Sequence, residues 1–188
     1  MSEKMKIITV LTPMKLRAVS KPVPEEDFGS ELDAYMDKML SIMYENDGVG
    51  LSGIQVGDPR RIMVIDPGTG PIKIVNPEIL RRSEETVRYA EGCLSIPGLT
   101  AEVDRSKFIT IRYRTPMGEV VEGDAENPVS VIIQHEMEHL EGKTILDSMS
   151  WMKRDMYMKK LRKVVKKFKA KTRTAPPSNK KKRKKKKR

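Results

Sequence analysis

The segment Gln134-His135-Glu136-Met137-Glu138-His139-Leu140 carries both histidines of this 188-residue chain. The surrounding pattern predicts a helix that opens at Asn127-Pro128 and closes before Gly142. Asn suits an N-cap, Pro the first helical position, and Gly the residue just past the end. Residues four apart share a helix face, so the two imidazoles of this H-E-x-x-H run can reach one metal ion. At ~3.6 residues per turn Glu136 stands about 100° round from His135. It can flank the ion without ligating it, which suits a proton shuttle. The competing reading is a helix whose histidines merely meet nearby carboxylates.

A catalytic centre of this kind takes three protein ligands and keeps one position for water. No third histidine exists, so an arrangement that needs one downstream is excluded by counting. The downstream carboxylates are Glu141, Asp147 and Asp155, and none lies at the longer separation at which a second helix supplies a glutamate. The remaining soft donor is Cys93, the single cysteine, in Glu91-Gly92-Cys93-Leu94-Ser95. Gly92 would let the backbone approach closely. The alternative for a lone cysteine is a small buried hydrophobe.

Outward from this helix the pattern is mixed. Residues 7–11 read as a short strand, followed by a loop to about residue 28 holding Pro13, Pro22 and Pro24. Leu32, Met36, Met39, Leu40 and Met43 recur at helical spacing over residues 29–45, with Ser30 as the expected N-cap. Short β-like runs follow at 61–66, 72–76, 86–89 and 107–113, and residues 107–122 read as a hairpin turning at Thr115-Pro116-Met117-Gly118. A last helix is predicted over 151–169, with Met158, Leu161, Val165 and Phe168 in one stripe. The expected class is α+β: antiparallel β-sheets around a central helix carrying both histidines, with an N-terminal helix and a C-terminal basic helix.

Composition narrows the possibilities. Hydrophobic residues make up 38%, enough for one ordinary core. Thirteen methionines against three phenylalanines suggest that Met fills its gaps. One cysteine excludes an intrachain disulfide. No apolar run approaches the ~20 residues of a membrane span, and the opening residues lack a signal-peptide layout. The net charge of +11 hides a division. Residues 150–188 hold 20 Lys and Arg against Asp155 alone, whereas residues 1–149 hold 17 against 25 acids. The expected organisation is a metal-dependent body over 1–150, a basic helix over 151–170 and a disordered Lys/Arg-rich tail over 171–188. The tail ends in nine consecutive bases, 180–188, which repel one another and cannot pack.

Three segments together resemble the peptide deformylase family. Gly48-Val49-Gly50-Leu51-Ser52-Gly53-Ile54-Gln55 resembles its first motif. Glu91-Gly92-Cys93-Leu94-Ser95 matches its second, and Gln134-His135-Glu136-Met137-Glu138-His139-Leu140 resembles its third. The likeness extends from about residue 7 to the end of the last helix. It departs at Ser52-Gly53, where the family usually carries an Ala pair, and at Glu138, where it usually carries Asp. The nine-base tail is outside the family pattern. Glu138 is expected to orient its surroundings, so these departures should retune the reaction without abolishing it.

The resemblance implies removal of the formyl group from the N-terminal formyl-Met of nascent polypeptides, releasing formate. It implies Cys93, His135 and His139 as ligands to one ion per chain, Glu136 as proton carrier, and Gln55 with the backbone N–H of Leu94 as oxyanion donors. Substrate would lie beside Gly50 and Gly92, with Val49, Tyr89, Val131 and Ile132 around the Met side chain; ordinary core packing is the competing role for these four. The donor set suits zinc, while the resemblance favours Fe2+, with Zn2+, Ni2+ or Co2+ able to substitute. A thiolate beside ferrous iron is consistent with a reducing cytoplasm. The basic helix and tail are expected to dock on the ribosome through rRNA. An anionic membrane is the weaker rival, since the tail has no apolar face, and a monomer is expected. Two rival readings are a zinc endopeptidase built on the same helix and an RNA-binding protein with an inactive body.

Overall fold

Two helices cover the two faces of one sheet, and the sequence of its inner strand shows why. A computed structural model of the protein describes residues 5–9 and 16–173, with side chains through Lys163. Strand β2 (Ile62–Ile65) is buried at every position. Successive side chains in a strand point to opposite faces, so an uninterrupted apolar run signals cover on both sides. Ile62 and Val64 join a cluster with Leu32, Met36, Met39, Leu40 and Met43 of helix α1 (Ser30–Glu45). Met63 and Ile65 join a second cluster with Ile133, Met137 and Leu140 of helix α2 (Val129–Leu140).

The sheet has five antiparallel strands in the order β1-β2-β3-β6-β7: β1 (Gly50–Ser52), β2, β3 (Ile72–Arg82), β6 (Phe108–Arg114) and β7 (Val120–Glu126). A separate two-stranded sheet pairs β4 (Thr86–Gly92) with β5 (Thr100–Ser106). The coarse class, α+β with antiparallel sheets and three helices, is as the sequence predicts. The chain divides into two compact units, Met1–Met149 and Ser150–Arg188. The second holds helix α3 (Trp151–Arg173), within which Lys159 pairs with Asp155 at 2.7 Å. The predicted tail over 174–188 lies outside the described residues. Among the described residues no helix is long and apolar enough to cross a membrane.

Several local expectations need correction. Residues 7–9 form no strand; Ile8 N–H donates a single bond to Gln55 O at 2.7 Å, and residues 10 and 11 fall outside the described set. Helix α1 is capped by Gly29, at φ 131°, with no side-chain cap from Ser30. Gly29 N–H instead donates to Pro116 O in the β6–β7 turn at 2.8 Å. Strand β3 runs past Pro77, because bulges between Val75 and Glu78 and between Ile79 and Arg81 absorb it. Helix α2 opens at Val129 with Pro128 as its cap residue and no side-chain cap from Asn127. Gly142, at φ 72°, ends it as expected. A Cβ there would stand 2.5 Å from Arg17 O, so glycine is required twice over. Strand β5 does not stand out in the sequence pattern; its buried positions are Ala101, Val103 and Arg105, and a charge at the third breaks the expected alternation.

Candidate metal centre

Helix α2 turns one side to the core and the other to a cavity. Gln134 fixes its rotation. The Gln134 carbonyl oxygen accepts from Ser106 N–H at 3.1 Å and Arg82 Nη1 at 2.9 Å, while its Nε2 donates to Ser106 O at 2.8 Å. With Ile133, Met137 and Leu140 on the sheet, His135 and His139 lie on the other side of the helix, and Glu136 stands between the two sets, against Gly50 of β1. All three are buried.

Cys93 follows β4 in a turn closed by Ile96 N–H donating to Cys93 O at 2.9 Å. The fold brings its sulfur to the two imidazoles: one donor atom each from Cys93, His135 and His139 lies within 4.8 Å of the others. Cys93 Sγ is 3.2 Å from His139 Nε2. The downstream carboxylates Glu141, Asp147 and Asp155 are outside this group. His135 Nδ1–H donates to Glu91 Oε2 at 2.7 Å, which fixes the tautomer and presents Nε2 to the other donors. Burial opposes charge on both rings. At His135 the Cys93 sulfur and the Glu91 carboxylate outweigh it and hold the pKa well above the ordinary value; at His139 burial prevails, helped by the His135 and Arg105 charges, and the pKa lies well below it. His139 is therefore neutral, with a lone pair to offer. A soft sulfur and two imidazole nitrogens on one helix and one tight turn fit a divalent transition metal.

Behind these donors runs a chain of buried charge that sequence reasoning missed. Arg105 of β5, 5% exposed, grips Glu91 at 2.7 and 2.9 Å and Glu138 at 2.6 and 3.0 Å. Arg105 thus ties β4, β5 and α2 together and orients His135 through Glu91. Burial works against ionisation of Glu91, but Arg105 and His135 prevail and its pKa is lowered. Glu138 is engaged by Arg105 and stays out of the donor cluster, as its longer side chain was expected to do. The signal for Arg105 lay in the alternation Ala101-Glu102-Val103-Asp104-Arg105, whose inward set is legible only if an arginine is admitted to the core.

Gln55 sits in the 3-10 turn Gly53–Val56 after β1 and is 1% exposed. Its Oε1 accepts from both Ser52 N–H and Ser52 Oγ, each at 2.8 Å. This leaves Nε2 to donate toward Ser95 Oγ at 3.3 Å and Cys93 Sγ at 3.8 Å. Burial pushes the Glu136 carboxyl up to about 7, against the pull of His135 and Ser52. Gly50 presses on that carboxylate: a Cβ at Gly50 would stand 2.6 Å from Glu136 Oε1.

Gln55, Glu91, Cys93, His135 and Glu136 open onto a cavity of about 320 Å³. Its walls include Val49, Gly50, Gln55, Tyr89, Gly92, Cys93, Leu94, Val131, Ile132, His135 and Glu136. Every site residue singled out in the sequence lines this space except His139, which lies behind His135 with no exposure.

The sequence from residue 4 to 155 matches the model of the polypeptide deformylase family. The chain belongs to that family. It is 44% identical over 164 residues to a peptide deformylase of Phenylobacterium zucineum, covering 85% of this chain and 96% of that protein. It is 43% identical to a peptide deformylase of Caulobacter vibrioides, covering 84% and 95%. Among solved structures it is similar to a peptide deformylase from Legionella pneumophila (TM-score 0.79, 34% identity, 93% of this chain and 100% of that one). It is also similar to one from Thermotoga maritima (TM-score 0.75, 40% identity, 79% and 99%). The enzyme is accordingly a metal-dependent deformylase, and the Cys/His/His cluster is its candidate metal site.

Proposed function

We propose that this deformylase hydrolyses the N-formyl group of formyl-Met at the start of nascent polypeptides, with Cys93, His135 and His139 holding one divalent ion. The observation that carries this reading is the convergence of those three donors, two of them at the wall of the cavity that Glu136 also lines. Such an ion, when bound, supplies Lewis acidity and brings the pKa of water down to about 7.

The protein's own groups do the rest. Glu136 takes the proton of the attacking water at its carboxylate and passes it to the amine as the C–N bond breaks, so that formate and a free N-terminus leave. Its raised pKa suits both halves of that transfer. Gln55 Nε2 and the backbone N–H of Leu94 donate to the oxygen on which charge develops. Because Ser52 fixes the Gln55 carboxamide before the reaction, that donor needs no reorganisation. Val49, Tyr89, Val131 and Ile132 hold the Met side chain, while the backbones at Gly50 and Gly92 pair with an extended peptide.

Fe2+ is the proposed physiological ion, with Zn2+, Ni2+ or Co2+ able to take its place. A lone thiol among its ligands favours the reducing cytoplasm. The excess of bases in residues 150–188 supports docking of α3 and the following segment on ribosomal RNA, with the enzyme acting as a monomer. Anaerobic purification with iron, followed by metal analysis and a formate assay on formyl-Met-Ala-Ser, tests the reading. One ion per chain with formate release is expected; a metal-loaded protein that cleaves internal peptide bonds and releases no formate would overturn it.

A further inference from the structure

Four consecutive residues, Asp47 to Gly50, form one wall of the cavity. Packing does little to hold Val49, which is 55% exposed, and Asp47 before it stands at φ 55°. The place of this wall is therefore set by main-chain bonds. At one end Gly48 N–H donates to Met43 O at 2.9 Å, which ties the wall to the close of α1. At the other Asp66 N–H donates to Val49 O at 2.9 Å. That bond continues the β1–β2 ladder one step past Gly50 opposite Ile65.

Asp66 is itself fastened by its carboxylate. Its Oδ1 accepts from Gly68 N–H at 2.8 Å and Gly70 N–H at 3.3 Å, and its Oδ2 accepts from the Tyr44 hydroxyl at 2.6 Å. Tyr44 belongs to the last turn of α1. A ring thus closes, running from α1 through the wall to Asp66 and back to α1 at Tyr44. The bond favours an ionised carboxyl and an intact hydroxyl, so it lowers the Asp66 pKa and raises that of Tyr44. Neither side chain lines the cavity.

We propose that Tyr44 and Asp66 are a positioning pair for the Met pocket: the bond between them holds the 47–50 wall, and Val49 with it, in the conformation that receives the first side chain of the substrate. The pair touches neither substrate nor reacting atoms. The proposal rests on the formyl-Met reading above, through Val49. A wall ordered beforehand spares the binding step that ordering cost. The pair accordingly acts on affinity and on the choice of first side chain, while the chemical step stays with Glu136, Gln55 and the metal donors.

The test uses the iron-loaded full-length enzyme. Tyr44→Phe, which removes the hydroxyl and keeps the ring, should raise KM for formyl-Met-Ala-Ser about three- to tenfold, the worth of one such bond, with the turnover number within about twofold of the parent. The preference in kcat/KM for formyl-Met-Ala-Ser over formyl-Ala-Ala-Ser should fall by a similar factor. Asp66→Asn should stay near the parent KM, because its amide can donate to the Tyr44 oxygen while its carbonyl still accepts from the glycines. Asp66→Ala should raise KM at least as far as Tyr44→Phe, and combining the two should raise it no further, since both break one bond. A Tyr44→Phe enzyme with the parent KM and preference, or one whose only loss is in turnover number, overturns the proposal, as does a double variant whose effects add. Formate release by the parent in those cases upholds the formyl-Met reading; no formate from the parent takes both down.

Discussion

The two faces of the five-stranded sheet are equally buried and built to opposite plans. Leu32, Met36, Met39, Leu40 and Met43 of α1 pack on Ile62 and Val64 of β2, with no charge among them. On the other face α2 sets Ile133, Met137 and Leu140 on the sheet and, within the same two turns, buries His135, Glu136 and His139. The first face is cohesive: each such side chain contributes about 1.5–3 kcal/mol by leaving water. The second holds groups that burial alone disfavours, kept in place by partners reaching in from β4 and β5. The small hairpin thus positions the groups of the site, while the α1 face supplies apolar cohesion.

Arg105→Leu should break this division hardest, because it strands two carboxylates. A loss of about 3–5 kcal/mol in unfolding free energy is expected, together with a roughly 10–100-fold weaker metal affinity through Glu91 and His135. Denaturant titration and a competing chelator measure the two. The same network predicts an acid limit. The depressed pKa of Glu91 in the folded state means its contribution is present above the ordinary carboxylate range and is lost as pH falls through the folded value.

Gln55→Ala comes next and should act on rate alone. The turnover number should drop about 10²–10³-fold, the range for loss of one oxyanion donor, with metal content by elemental analysis unchanged. Met36→Ala sharpens the contrast from the other face. It should remove about 2–5 kcal/mol of stability, while turnover below the melting transition stays at the parent value. Ser52→Ala is the gentlest, because Ser52 N–H still holds Gln55 Oε1 at 2.8 Å. A fall in turnover of at most about tenfold is expected, in line with one hydrogen bond.

Legibility in the sequence followed the same division. The α1 face could be read directly, since Leu32, Met36, Met39, Leu40 and Met43 repeat at the helical period and nothing interrupts them. The candidate metal donors are legible for a different reason: two histidines four apart on a helix and a single cysteine leave few other combinations. Strand β5 was hidden because its inward set ends in Arg105, whose charge is tolerable only beside Glu91 and Glu138. Those three residues come from β5, β4 and α2, and no local pattern connects them. The start of α1 was misplaced by one residue because its cap is a backbone contact with Pro116, again a distant partner.

Activity of this enzyme depends on the ligands that surround its ion. X-ray absorption spectroscopy at the metal edge of the anaerobically purified, iron-loaded enzyme, with Cys93→Ala alongside, tests this most directly. One sulfur and two imidazole nitrogens are expected in the parent, with the sulfur contribution and the bound iron both lost in the variant. A parent spectrum with no sulfur neighbour, or full iron occupancy in Cys93→Ala, would contradict it.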